Sequence, residues 1–209
     1  MSDVMWPVRA ESERERWEVT PLIRVGPLRF GMTPGEVTVA LGRGPTASGT
    51  GFAHYSYPDQ RIWGNMLVAY YRPASEDEVP PEEPRSCPTW RTAGSCSRCS
   101  PRRTSVLAAV AVDARNGPQV RWDGLALTGR VPSTTDDAIY ARLRNRDPDT
   151  EIRISQEGTY SYEDVGILLR VQRAGDILLT RPVFAAPEWI AGLGDTSEGP
   201  LPHTEWDID

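Results

Sequence analysis

The sequence predicts an α+β protein built of two tandem repeats. Each repeat is a short helical element packed on an antiparallel β-sheet meander, and a long irregular insertion interrupts the first. Three observations carry this reading. The stretch GPLRFGMTPGEVTVALGRGP (26–45) holds a capped helix with a glycine stop. Strand-like segments rich in β-branched and aromatic residues follow it, bounded by proline and glycine. The same order then recurs: HYSYPD (54–59) is matched by TYSYED (159–164), both with Tyr-Ser-Tyr and an acid two residues on.

The elements follow in order. Residues 1–16 read as a flexible N-terminal segment and 17–115 as the first repeat. Thr33 is placed as an N-cap, Pro34 takes the first helical position, and Glu36 can close a capping box. Met32 and Val37 are spaced for a hydrophobic staple. Val37, Ala40 and Leu41 fall on one face, and Gly42 is set to end the helix in a left-handed conformation. A two-turn helix over 34–41 is too short to persist unless it docks on a sheet. Strands are expected at 54–58, 62–72 and 105–114. In the second repeat, 118–190, WDGLALTG (122–129) parallels GPLRFG. A second capped helix is expected over 133–147, with Ile139 and Leu143 repeating the spacing of Val37 and Leu41. Strands at 159–164, 166–172 and 176–184 complete it, and 191–209 is an acidic tail. Residues 73–104 show no hydrophobic periodicity, so they read as a long insertion.

Charge and composition narrow the function classes. Every one of the 23 basic residues is arginine, and the net charge is −6. With 18 glycines and 19 prolines, this composition fits a GC-rich genome such as an actinobacterial one. Ten of the 29 acids gather in two runs without a base, Glu76, Asp77, Glu78, Glu82 and Glu83, then Asp195, Glu198, Glu205, Asp207 and Asp209. No basic stripe offers itself to nucleic acid. No apolar run reaches the roughly 18 residues of a membrane span, and the N-terminus has no apolar signal region. The expected location is the cytoplasm, with neither nucleic acid nor membrane as partner. Acidic runs suit a basic protein partner.

Sites for catalysis are sparse. The glycines of 26–45 bracket a short helix, and no G-x-x-x-x-G-K-[ST] loop exists in a chain without lysine. Two histidines, His54 and His203, have no recognisable nucleophile or orienting acid beside them in sequence. Asp136 and Asp137 read as charges offsetting a helix dipole. No enzyme activity and no cofactor are expected. Cys87, Cys96 and Cys99 include a C-x-x-C pair, which supports a metal-binding or redox alternative. The remaining signal is aromatic. Tyr55, Tyr57, Asp59, Trp63, Tyr70, Tyr160, Tyr162, Glu163 and Asp164 are the candidate partner-binding residues, since tyrosine and tryptophan dominate interface hot spots.

The segment VGPLRFGMTPGEVTVALG (25–42) resembles the GMT-x-x-E-V-x-x-x-L-G helix of the SmpA/OmlA lipoprotein family and of β-lactamase inhibitor proteins. WDGLALTG and YSYEDVGILLR look like segments of small actinobacterial immunity-type proteins. The resemblance implies two helix-plus-sheet repeats and a grip on a target protein. The leading expectation is therefore an immunity protein that occludes a toxin's active site. A scaffold subunit of a larger complex is the other binding alternative.

Overall fold

The computed structural model describes residues 7–57, 66–75, 105–150, 153–154, 160–187 and 189–190. A 3-10 turn (Glu11–Glu13) leads into β1 (Arg16–Thr20), β2 (Arg24–Val25), β3 (Leu28–Arg29) and α1 (Pro34–Leu41). Then come β4 (Ala47–Gly49), β5 (Phe52–Tyr55), β6 (Leu67–Pro73), β7 (Ser105–Val112), β8 (Gln119–Trp122), β9 (Leu125–Ala126) and α2 (Pro132–Arg146). The last strands are β10 (Arg153–Ile154), β11 (Tyr160–Tyr162), β12 (Ile167–Ala174) and β13 (Ile177–Ala185), with a 3-10 turn at Glu163–Val165. The class is α+β.

Eight strands form one sheet in the order β10-β11-β12-β13-β7-β6-β5-β4, all neighbours antiparallel. The four strands after α1 and the four after α2 meet at one seam. There β13 and β7 pair through Val183↔Ala111, Phe184↔Val110 and Ala185↔Ala109. A second, five-stranded sheet has the order β3-β2-β1-β8-β9. In it β1 and β8 run parallel, with Trp17 opposite Val120. The sequence reading did not include β1, β2, β3, β4, β8, β9 or β10, all segments of two to five residues.

The helix over 34–41 forms as its caps dictate. The Thr33 hydroxyl accepts from the Glu36 N–H, and the Glu36 carboxylate accepts from the Thr33 N–H at 2.7 Å and from its hydroxyl at 2.9 Å. Gly42 ends the helix at φ +64°. Val37 and Leu41 are buried, whereas Val39 is 81% exposed. The Thr33 backbone N–H, and then its hydroxyl, hold the Glu36 carboxyl below its ordinary range. A depressed carboxyl pKa stabilises the fold above the unfolded-state value and loses that effect as pH falls through the folded-state value. Thr33→Ala should lower stability by about 1 kcal/mol at neutral pH. The deficit should shrink in acid, as urea unfolding of both proteins at the two pH values would show.

Helix α2 begins one residue before the expected 133. Pro132 holds the first helical position, and the N-cap is Val131, which makes no side-chain cap bond. The expected side-chain cap is absent because the N-cap valine has no side-chain acceptor, and the Thr135 hydroxyl donates back to the Val131 carbonyl at 2.9 Å. The buried residues are Thr135, Ile139 and Leu143, one turn apart.

Both helices contribute to the main core. Val37, Leu41, Ile139 and Leu143 pack with Leu67, Ala69, Leu107, Val110, Val112, Ile167, Leu169 and Phe184 of the large sheet. Trp17, Val25, Leu28, Val120 and Trp122 of the small sheet close the same core. A β-bulge tunes the facing of β7. Tyr70 lies opposite Ala109 and Tyr71 opposite Leu107, which leaves Ala108 out of register. Leu107 thereby joins Val110 and Val112 in the main core, while Ala109 and Ala111 join Val68, Tyr70, Leu168, Val183 and Ile190 in a second cluster.

The N-terminal stretch read as flexible is anchored from Arg9 onward. Arg14 is 7% exposed. Its guanidinium donates to the carbonyls of Arg9 (3.0 Å), Gly117 (3.0 Å), Ala114 (2.9 Å) and Arg115 (2.6 Å). Arginine cannot be kept neutral by burial as lysine can, so these carbonyl dipoles solvate a charge inside the fold.

Candidate partner-binding surface

The structure draws the sequence-predicted site residues apart. Tyr55 is buried, with its hydroxyl 3.2 Å from that of Tyr71. Burial, and then the Tyr55 hydroxyl, push the Tyr71 phenol far above its ordinary range. Tyr70 is buried in the second cluster. Tyr162 is 1% exposed and donates its hydroxyl to the Asp136 carboxylate. Burial raises the Asp136 carboxyl, a rise that the Tyr162 hydrogen bond opposes. Tyr55, Tyr70 and Tyr162, expected among the partner-binding residues, are core residues here and their rings lie away from any binding surface. Each has its ring packed inside, because its strand is covered on the face to which the ring points. The backbone of Tyr160 pairs with Leu169. In the turn after β11, Glu163 is half-buried and Asp164 exposed. Tyr57 lies beyond the end of β5, partly buried between Arg9 and Arg43. Asp59, Trp63, Cys87, Cys96, Cys99 and the tail fall outside the described residues, as does the side chain of Tyr160.

Among the large apolar side chains that do reach solvent, three aliphatic ones lie toward one end of the β12–β13 hairpin. Val131 is 60% exposed, Ile177 55% and Leu178 45%. Ile177 and Leu178 lie at the tip of the β12–β13 hairpin, where Ala174 pairs with Ile177 across a two-residue turn at Gly175 and Asp176. Gly175 holds φ +64° there. Val131 is brought to the same end by a bulged pairing. The Gly129 N–H donates to the Thr180 carbonyl and the Thr180 N–H to the Arg130 carbonyl, both at 2.9 Å. This is a glycine-type bulge with Gly129 at φ +66°. No side chain fits at that position, since a Cβ on Gly129 would lie 2.7 Å from the Ala114 carbonyl oxygen. The Arg130 N–H also donates to the Thr180 hydroxyl at 2.8 Å.

Charged groups border this apolar group. Arg130 and Arg121 reach Glu11 at 2.5 Å and 3.1 Å. The Arg130 hydrogen bond is the main cause of the lowered Glu11 pKa. Arg173 is half-buried and Asp176 exposed beside the turn. An apolar centre with a charged border is the usual anatomy of a protein-binding surface. Sequence reading missed these residues for two reasons. Val131 looked like a loop residue before a helix, and Ile-Leu-Leu at 177–179 looked like the start of a buried strand. The signal was the run itself. Three consecutive apolar residues cannot all face inward on a strand whose side chains alternate.

Among the described residues no group of three His, Cys, Asp or Glu side chains is placed to hold a metal ion. No described helix is long and apolar enough to cross a membrane. Comparison of the chain with protein-family models, curated proteins and solved structures found no match.

Proposed function

We propose that the protein is a non-enzymatic binding module and, more specifically, a cytoplasmic immunity protein that neutralises a toxin by covering its active site. The observation that supports this reading best is the exposed group of Val131, Ile177 and Leu178. Ile177 and Leu178 sit at a hairpin tip closed by a two-residue turn and Val131 follows the Gly129 bulge, so turn geometry fixes the backbone that carries them and little conformational entropy is lost on docking. The aliphatic side chains supply the buried anchor, and the two acidic runs of the sequence favour approach to a basic cleft. Inhibition is steric: the bound module fills the space the toxin's substrate needs.

The test begins with affinity capture of the tagged protein from extracts of its own host. The captured partner is then purified and its activity titrated with the module. One dominant partner, inhibited at one-to-one stoichiometry, is the expected result. Leu178→Arg should weaken that complex by about 2 kcal/mol or more. It should shift folding stability by no more than about 0.5 kcal/mol, because the side chain is exposed. No partner recovered by the folded protein, or a partner whose activity the module leaves unchanged, defeats the immunity reading.

A further inference from the structure

Three arginines converge on one phenol at the base of the N-terminal segment. The guanidinium carbon of Arg9 lies 4.5 Å from the centre of the Tyr57 ring, and that of Arg43 lies 5.1 Å from it. Arg14 is buried beside them and donates to the Arg9 carbonyl. Among the described residues two carboxylates face this group, Asp113 from the side of Arg14 and Glu15 from the side of Arg43. Glu15 accepts from Arg43 at 3.3 Å and from the Trp17 indole N–H at 3.2 Å. Nearby, Asp113 and Arg115 lie 3.9 Å apart and balance each other. Among the described residues, the guanidinium groups of Arg9, Arg14, Arg43 and Arg115 thus meet two carboxylates, Glu15 and Asp113, and the excess positive charge has the size of a dianion.

Two donors in the cluster are unmet. Arg9 Nη1 and the Tyr57 hydroxyl are both buried without a hydrogen-bond partner among the described residues. Buried donors are almost always paired, and leaving them unpaired is costly. The Glu15 side chain, by contrast, is 41% exposed. It marks the open edge of the cluster and is free to turn into solvent.

We infer that this cluster is a binding site for a phosphate group, with Glu15 as a built-in carboxylate that holds Arg43 until the ligand displaces it. Arginine's planar fork matches phosphate oxygens. A phosphate oxygen set where Glu15 now sits receives Arg43, while its neighbours offer acceptors to Arg9 Nη1 and the Tyr57 hydroxyl. Arg14 takes no direct part, since four carbonyls already occupy four of its five N–H groups. It contributes charge. The inference stands apart from the protein-binding reading, because the cluster shares no residue with Val131, Ile177 and Leu178.

The experiment is calorimetric titration of the full chain with inorganic phosphate at constant ionic strength, alongside thermal melting. A phosphate monoester, glycerol phosphate, forms a second arm and acetate a third. Saturable phosphate binding with a raised melting temperature is expected, and acetate should bind far more weakly. Tighter binding of the monoester would assign the site to a phosphorylated molecule, and equal or weaker binding to free phosphate. Tyr57→Phe and Arg9→Gln should each weaken binding about tenfold or more. Glu15→Gln should tighten it, because the competing carboxylate is gone. Three results would overturn the proposal: no saturable phosphate response in the wild type, acetate binding as well as phosphate, or affinity unchanged in Tyr57→Phe and Arg9→Gln. Should Arg9→Gln fail to fold, Tyr57→Phe and Glu15→Gln decide the matter between them, since neither removes a backbone-anchoring group.

Discussion

Arg14→Met should destabilise the protein by about 3–5 kcal/mol, the range for breaking a buried charged network from one side. Methionine keeps an apolar stem about as far as the depth of Nε and removes every donor. The carbonyls of Arg9, Ala114, Arg115 and Gly117 would each lose a charge-assisted hydrogen bond, three of them from a single turn. Asp113 would suffer as well. Its carboxylate lies in the same buried region, where it accepts from the N–H groups of Arg115 and Asn116 and from the Gln172 amide at 2.8 Å. Gln172 in turn accepts from the Ala114 N–H at 2.7 Å. Removing the guanidinium leaves a buried carboxylate with less compensation, so water entry or local unfolding follows. Urea unfolding monitored by circular dichroism gives the number. A loss below about 1 kcal/mol would mean that solvent replaces Arg14 without difficulty, and that the turn is not held as described.

Trp122→Ala comes next, with an expected loss of about 3–5 kcal/mol. Trp122 is 1% exposed and among the largest fully buried side chains. It belongs to the core shared by the small sheet, both helices and the large sheet. The Arg146 guanidinium lies 5.2 Å from its ring, a contact that alanine also removes. That arginine is half-exposed and bonded to Asp123, so its share is small beside the cavity. Trp122→Phe separates the two effects. It keeps a ring and most of the volume, and should recover a large part of the loss. Equal losses in both variants would point to the indole's particular fit rather than to the volume it fills.

The parts of this fold legible in the sequence are those fixed by local chemistry. Thr33, Pro34, Glu36 and Gly42 set α1 to its residue limits: Thr33 and Glu36 accept from N–H groups at its start, Pro34 has no N–H to satisfy, and the Gly42 N–H serves a carbonyl at its end. The strands β6, β7, β12 and β13 were legible from their apolar runs. The two-residue strands β2, β3, β9 and β10 have no periodicity to read, since their pairing is decided by partners distant in sequence. Facing was the harder matter. Tyr55 and Tyr57 alternate like neighbours on one side of a strand, but β5 stops at Tyr55. Tyr57 then follows its own course to the arginine cluster. Tyr70 and Tyr71 point to opposite sides, and the bulge opposite them decides which core residues each meets. The candidate surface was the least legible, because a hairpin tip exposes side chains of both parities at once.

The seam between β7 and β13 has a consequence for how the chain is made. Ala111 meets Val183 and Ala109 meets Ala185, so the inner edge of β7 has no strand beside it until almost the last described residues have been synthesised. During that interval a fully apolar strand presents an unpaired backbone edge, the feature through which newly made chains join one another wrongly. Synthesis rate and chaperone supply, rather than the stability of the finished fold, should therefore govern how much protein is recovered.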